Sequence, residues 1–418
     1  MSVFNDASDA ASYQTYLSEN PAVAALEQMK GYLGFRKTFN EQSQVKELLV
    51  AAIKSIIIDN RDLKLSLGQA QAQANKLLKG YTKIAVMIPC RGDGSYFDTI
   101  AAAADEINGE ENGIRVDVFE CDPNYEGNEE NWMNWYGNLC QNGEYDLIIS
   151  GSSSYEGFLY EACERYPDQR FANYHYDSLP DGGVPSNCYC INYDNAQMGY
   201  VTGALIGAIS NSGIVAVVVG IDSKAMNQFI SGWCQVLTDM DVKYVIAYPG
   251  SFSDTALGKT VAQSQIDKGA DVIWQLAGGL GNGVIEACSE NDDVWAIGTD
   301  IDQHAQFIES KPAWANSILT SAMKKTDVGT RILCEDADEG TLLAKLGTDE
   351  TLGIAQGAVG VVENDFYLAN TSEEVRDRLA AEILKVKNGE VEVIDCLKWS
   401  DEEYETLWPA LRDGNRLN

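Results

Sequence analysis

The chain has 418 residues, 45% apolar and 9% aromatic, enough for two domains with cores of their own. Sixty-three acidic against thirty basic side chains give a net charge of −33. That balance argues against nucleic acid, whose phosphates need Lys and Arg, and against anionic membrane surfaces or polyanionic substrates.

Residues 1–80 read as about three helices without a strand. Apolar positions recur at helical spacing in PAVAALEQMKGYLGF and VKELLVAAIKSIIIDN, and LSLGQAQAQANKLLKGY continues as helix to a stop at Gly80. A packing or oligomerisation module is expected there, with a spacer as the other reading. From Lys83 strands and helices alternate. KIAVMIP is a strand, RGDGSYFD a loop, TIAAAADEIN a helix and IRVDVFEC the next strand. DLIISG and QRFANYHYD follow as strands around the helix EGFLYEACERYP. CYCINYD crosses to a second lobe opened by the small-residue helix AQMGYVTGALIGAIS, and GIVAVVVG, KYVIAYPG and DVIWQL are strands of that lobe.

This alternation predicts an α/β fold: two doubly wound parallel-sheet lobes with a hinge, plus an N-terminal helical segment. The expected divisions are 1–80 helical; 81–188 with 322–350 as lobe 1; 189–321 with 351–365 as lobe 2; and 366–418 as an acidic helical tail capping lobe 1. The hinge is expected near 187–195 and 317–322. No apolar run is long enough to span a bilayer, and the start, MSVFNDASDAAS, is not a signal sequence.

The most informative stretch runs from Lys268 to Gln303. A buried strand, Ala270 to Leu276, meets the glycines Gly278, Gly279, Gly281 and Gly283. A short helix and a second strand, Val294 to Thr299, lead to Asp300, Asp302 and Gln303. Ligands of such sheets bind beyond the carboxyl ends of the strands, so both polar clusters are expected on one ligand-facing edge. The loop Arg91–Asp98 follows the first strand and is expected to face the same cleft. It offers Asp93 and Ser95 for hydrogen bonds and Tyr96 or Phe97 as a flat surface for a sugar or heterocycle, unless those rings fill the core.

Other motifs carry less. Gly258-Lys259-Thr260 lacks the glycine a phosphate loop needs at 253, where Ser253 stands. Gly279-Leu280-Gly281-Asn282-Gly283 has the wrong spacing for a dinucleotide loop and fits a tight turn or close backbone approach. His175 has no nucleophile motif beside it, and His304 is expected on a surface loop. Asp300 and Asp302 serve acid–base chemistry or, with Lys324, the holding of a hydroxylated ligand. The ten cysteines form no C-x-x-C pair and read as buried thiols, with scattered disulfides and a weak zinc reading at Cys188 and Cys190 as the alternatives. No metal or cofactor is expected.

In order along the chain, RYPDQRFANYHYD, YVTGALIGAIS, YPGSFSDTALGKTVA, KGADVIWQLAGGLGNGVIEAC, AIGTDIDQ and ILTSAMKKTD are similar to blocks of the basic membrane protein family, the purine-nucleoside-binding lipoproteins of ABC uptake systems. The resemblance covers Lys83 to Asp365. It implies a type I periplasmic-binding-protein fold closing over a nucleoside. By position, Asp300 looks like the carboxylate that holds ribose hydroxyls and Lys324 like the lysine that also reaches the ribose. Tyr96 takes the place of a stacking phenylalanine, Asp93 and Ser95 match the same loop, Trp274 stands for the opposing aromatic, and Gly278 and Gly279 let the backbone approach the ligand. The sequence departs from the family at the end of the first strand, where Pro89 and Cys90 replace an aspartate that reads the base, and at Phe97, which replaces an asparagine.

The function expected is therefore a non-enzymatic solute-binding protein for a nucleoside, delivering it to an ABC transporter permease. It would lie outside the cytoplasm, anchored through a segment absent from this chain; a cytoplasmic location stays open. A ligand sensor or regulator on the same fold is the first rival and a nucleoside-processing enzyme the second.

Overall fold

The computed structural model describes residues 42–91, 96–109, 113–121, 129–152, 155–174, 179–414 and 417. Its centre is a pair of six-stranded sheets. The first is built from β1 (Thr82–Ile88), β2 (Ile114–Glu120), β3 (Leu147–Ser150), β4 (Phe171–Asn173), β5 (Cys188–Tyr193) and β11 (Thr348–Leu352), in the order β11-β5-β4-β3-β1-β2. The second has the order β12-β10-β9-β8-β6-β7, from β6 (Ile214–Val219), β7 (Lys243–Ala247), β8 (Val272–Leu276), β9 (Trp295–Thr299), β10 (Ile318–Lys324) and β12 (Val359–Val361). All pairings are parallel except β10 with β12. Apolar runs such as Val215–Val219 are buried on both faces, as strands covered by helices on each side must be.

The chain crosses between the sheets three times: after β5, after β10, and between β11 and β12. All of β5 lies in the first sheet and all of β10 in the second. Of these crossings, the one at Asp194 lies within the expected hinge at 187–195 and only the one at Lys325 lies beyond 317–322. The crossings are tied to one another by backbone bonds: Asp194 N–H donates to Leu352 O at 2.8 Å, and Lys325 N–H to Ala358 O at 2.8 Å.

The helices Gln42–Ile57 and Leu63–Lys79 pack on the first lobe, and the second ends at Gly80 in the left-handed conformation (φ 81°). Gly68 lies so close to Gly340 that a Cβ would sit 2.1 Å from its carbonyl oxygen. Residues 1–41, where a further helix was expected, lie outside the described residues.

The acidic tail caps the second lobe, not the first. Glu373–Lys387 lies on the helix Asn195–Ile209, where Tyr200 OH donates to Glu382 at 3.0 Å. The physical reason lies in Asn195–Ile209 itself. Ten of its residues are buried around the whole circumference, so it needs cover on the side away from its sheet. Along its flank runs Lys224–Asp239, with Gly199 and Gly232 at the contact.

Prediction: Gly232→Ala places a Cβ 2.0 Å from the Ala196 carbonyl oxygen. It is expected to cost about 1–3 kcal/mol, read as a lower urea midpoint at constant m-value. An unchanged midpoint would contradict this close contact.

A cavity at the strand ends of the second lobe

The carboxyl ends of β8, β9 and β10 open onto one cavity of about 560 Å³, completed by the segments that follow β6 and β7. The helix after β6 supplies Met226 and Phe229, and the turn after β7 supplies Phe252. The end of β8 gives Gln275 to Gly279, with Asn282 just beyond; β9 gives Thr299 to Ile301, followed by Gln303 and Gln306; β10 gives Lys324. The volume suits a small polar molecule.

The floor is a buried polar layer. Gln275 Nε2 donates to Gln303 Oε1 at 2.7 Å, and Trp274 Nε1 donates to Thr299 Oγ1 at 2.9 Å. Thr299 Oγ1 in turn donates to the Gln275 carbonyl, and Gln303 N–H donates to Ser321 Oγ at 3.2 Å. With the floor's own groups satisfied internally, it stays rigid.

On this floor stand two charged side chains, the only ones lining the cavity among the described residues. Asp300 has φ 67°, a left-handed conformation that L-residues seldom adopt, and its N–H donates to Ala322 O at 2.8 Å. Strain of this kind collects at binding sites. The surrounding protein raises the carboxyl's pKa by desolvation, while the Lys324 ammonium pulls it down; the residue itself still opens onto the cleft. Lys324 Nζ sits 5.6 Å from the centre of the Phe229 ring, within cation–π reach. Among the described residues neither charge forms a hydrogen bond or an ion pair within 4.0 Å.

Gly278 and Gly279 line the cavity as exposed backbone. Gly278 has φ 54°, and Leu280 N–H ties this loop to Phe252 O at 2.9 Å. Gly220 has a different use: a Cβ there would lie 2.2 Å from the Phe252 ring, which rests on it.

Trp274 does not line the cavity. It is fully buried, its ring edge-to-face with Phe229 at 6.4 Å, because period-two alternation turns it to the core face of β8 while Gln275 faces the other way. The aromatic wall is Phe229 and Phe252 instead. Sequence reasoning missed both. Phe229 sits in an amphipathic helix and looks like core; Phe252, an isolated ring in the turn PGSFSD after a strand, was visible to the strand-end rule.

In the first lobe, Asp93 and Ser95 lie outside the described residues. A helix opens at Tyr96 and runs to Ile107, so Tyr96 and Phe97 begin a helix where a loop was expected; Phe97 is half-buried against the core. Asp302 is engaged as a helix cap, its Oδ1 accepting from Ala305 N–H at 3.0 Å and its Oδ2 from Asn364 at 2.8 Å. His304 is buried, not on a surface loop: its ring stacks on Phe366 at 4.0 Å and Nδ1 lies 2.8 Å from Ala315 O. His175 lies outside the described residues. All ten cysteines are thiols, eight of them buried, with Cys188 and Cys190 sulfurs 3.8 Å apart. Among the described residues no three His, Cys, Asp or Glu side chains are grouped to hold a metal.

The same architecture occurs in solved proteins. An ABC transporter solute-binding protein from Conexibacter woesei covers 75% of this chain and 99% of its own length at TM-score 0.60 and 18% identity. One from Aeropyrum pernix K1 covers 80% and 98% at TM-score 0.58 and 21% identity. A transcriptional activator of the comK gene from Bacillus halodurans shares the fold at TM-score 0.57 and 16% identity, so these likenesses speak for the fold alone. The class is the two-lobed type I periplasmic-binding fold.

Within that class the family is specific. The model of the Bmp family, PnrA-like ABC transporter substrate-binding proteins, matches residues 81–395, and the chain belongs to this family. The match reaches some way into the tail, beyond the expected limit at Asp365. The ABC transporter nucleoside-binding protein BmpA of Lactococcus lactis subsp. cremoris is 27% identical over 218 residues, which span 50% of this chain and 60% of that protein. An uncharacterized lipoprotein of Pyrococcus furiosus is 25% identical over 396 residues, 84% of this chain and 92% of its own. Among the described residues no helix is long and apolar enough to cross a membrane.

Prediction: because the native fold raises the Asp300 pKa above the ordinary 3.8, the native state favours its protonated form. That contribution is fully present below the unfolded value and is lost as pH rises through the folded one. At pH 7 the ionised carboxylate therefore opposes folding. Asp300→Asn, which keeps a residue tolerant of positive φ, is expected to raise the melting temperature of the ligand-free chain at pH 7, with the gain shrinking toward pH 4. A lower melting temperature at pH 7 would reverse the assignment.

Proposed function

We propose that this chain is the extracytoplasmic receptor of an ABC uptake system and holds a nucleoside, with purine nucleosides as the leading class, between its lobes. The observation that carries the reading is one carboxylate, Asp300, and one ammonium, Lys324, each without a hydrogen-bond partner among the described residues, beside the aromatic wall. A vicinal diol donates two hydrogen bonds to a carboxylate and accepts one from an ammonium, which describes ribose. The flat, weakly polar base then lies against Phe229 and Phe252. The opposing surface comes from the first lobe, with Asp93, Ser95, Tyr96 and Phe97 closing over it.

The two charges cancel, so the cavity favours a neutral hydroxylated ligand over a phosphorylated one. BmpA, named as a nucleoside-binding protein, supports the same ligand class. Hydrolysis of the ligand is not part of this reading: Asp302 is spent on a helix cap and His304 is buried against Phe366. Delivery to a permease and lipid anchoring belong to the same reading, supported by the family and by relatives named lipoproteins.

Prediction: in a thermal-shift panel of nucleosides, free bases and sugars, purine nucleosides are expected to give the largest upward shift. Ligand at a hundred times Kd stabilises by about 2.7 kcal/mol. A panel in which free sugars match or exceed nucleosides would reject the base half of the site.

Prediction: by calorimetry, Asp300→Ala is expected to abolish nucleoside binding and Phe229→Ala to weaken it by about 1–3 kcal/mol. Full affinity in Asp300→Ala would remove the carboxylate from the site.

A further inference from the structure

The helix Lys224–Asp239 lies between the cavity and the C-terminal tail. Met226 and Phe229 point to the cavity. Lys224, Asn227, Gln228 and Ser231 recur at i, i+3, i+4 and i+7 and so form a different face. That face is gripped by the tail. Lys224 Nζ donates to Trp399 O at 2.6 Å, Gln228 Nε2 to Asp395 Oδ2 at 3.2 Å and Ser231 Oγ to Ile394 O at 2.7 Å. The family match ends at residue 395, so Trp399 and the helix Asp401–Arg412 lie beyond it.

Asn227 is the centre of this contact. It is fully buried, and its amide nitrogen donates to Tyr404 OH at 2.8 Å and to Asp222 Oδ1 at 2.7 Å. Its amide oxygen accepts from Tyr248 OH at 2.7 Å. Tyr404 also stacks on Trp408 at 5.9 Å, and Trp408 is buried. The tail thus fixes the first turn of the helix that carries the aromatic wall.

We infer that residues 394–412 form a brace, and that Tyr404, acting through Asn227, is a positioning residue that sets Phe229 against the ligand. The ligand half of this inference rests on the nucleoside reading above; the helix half does not.

Two measurements on the full chain test it. In the ligand-free protein, Tyr404→Phe is expected to speed amide hydrogen exchange over 226–230 and to leave the first-lobe helix Thr326–Glu339 unchanged. Unaltered exchange over 226–230 overturns the brace whether or not a nucleoside binds. With adenosine as probe, Tyr404→Phe is expected to weaken binding about three- to tenfold, the range of one net hydrogen bond, and to have no further effect in a Phe229→Ala background. Equal losses in both backgrounds, or none in either, overturn the positioning role. If the wild-type chain binds no nucleoside while exchange over 226–230 responds to Tyr404→Phe, the nucleoside reading fails and the brace stands.

Discussion

The site depends on a layer of neutral polar side chains buried at the carboxyl ends of β8, β9 and β10. Gln275, Thr299, Gln303 and Ser321 are each below a tenth exposed, and each is hydrogen-bonded to another member. A buried amide without a partner costs about 1–3 kcal/mol, so the layer has one good arrangement and resists others. It locks β9 against β8 and the short helix Gln303–Phe307 against β10. Asp300 is held between those two locks. Its strained backbone is stable because the residues on either side cannot move.

The two lobes are joined by three strands of chain that are hydrogen-bonded to one another at the crossings. In the function proposed above, the second lobe contributes both charges and two rings, and bending at these crossings brings the helix starting at Tyr96 toward them.

Much of this was legible in the sequence, and what was not has identifiable causes. Asp300, Lys324, Gly278 and Gly279 were readable because a strand's end can be seen from its apolar run, and the strand-end rule does the rest. Trp274 was misplaced because a strand buried on both faces gives no sign of which face borders the cleft. Phe229 was hidden for a related reason: an amphipathic helix announces an apolar face but not a gap beside it. The tail's acidic helices showed that one side was covered, and nothing in them said by which lobe. The deciding signal sat elsewhere, in the all-round apolar helix Asn195–Ile209. His304 looked like a surface residue because the ring that covers it, Phe366, is some sixty residues away in the sequence, on the helix Asp365–Asn370.

The overall charge and the local charge of the cavity do different jobs. A net charge of −33 sets up a negative field around the chain, which repels anions. Salt screens that field over about 8 Å at physiological ionic strength, so it acts on the approach of a solute more than on its binding. Inside the cavity Lys324 offsets Asp300, and the remaining lining among the described residues is uncharged. In the reading proposed above, a neutral, hydroxyl-rich solute approaches without opposition from that field, whereas a phosphorylated one is repelled by it.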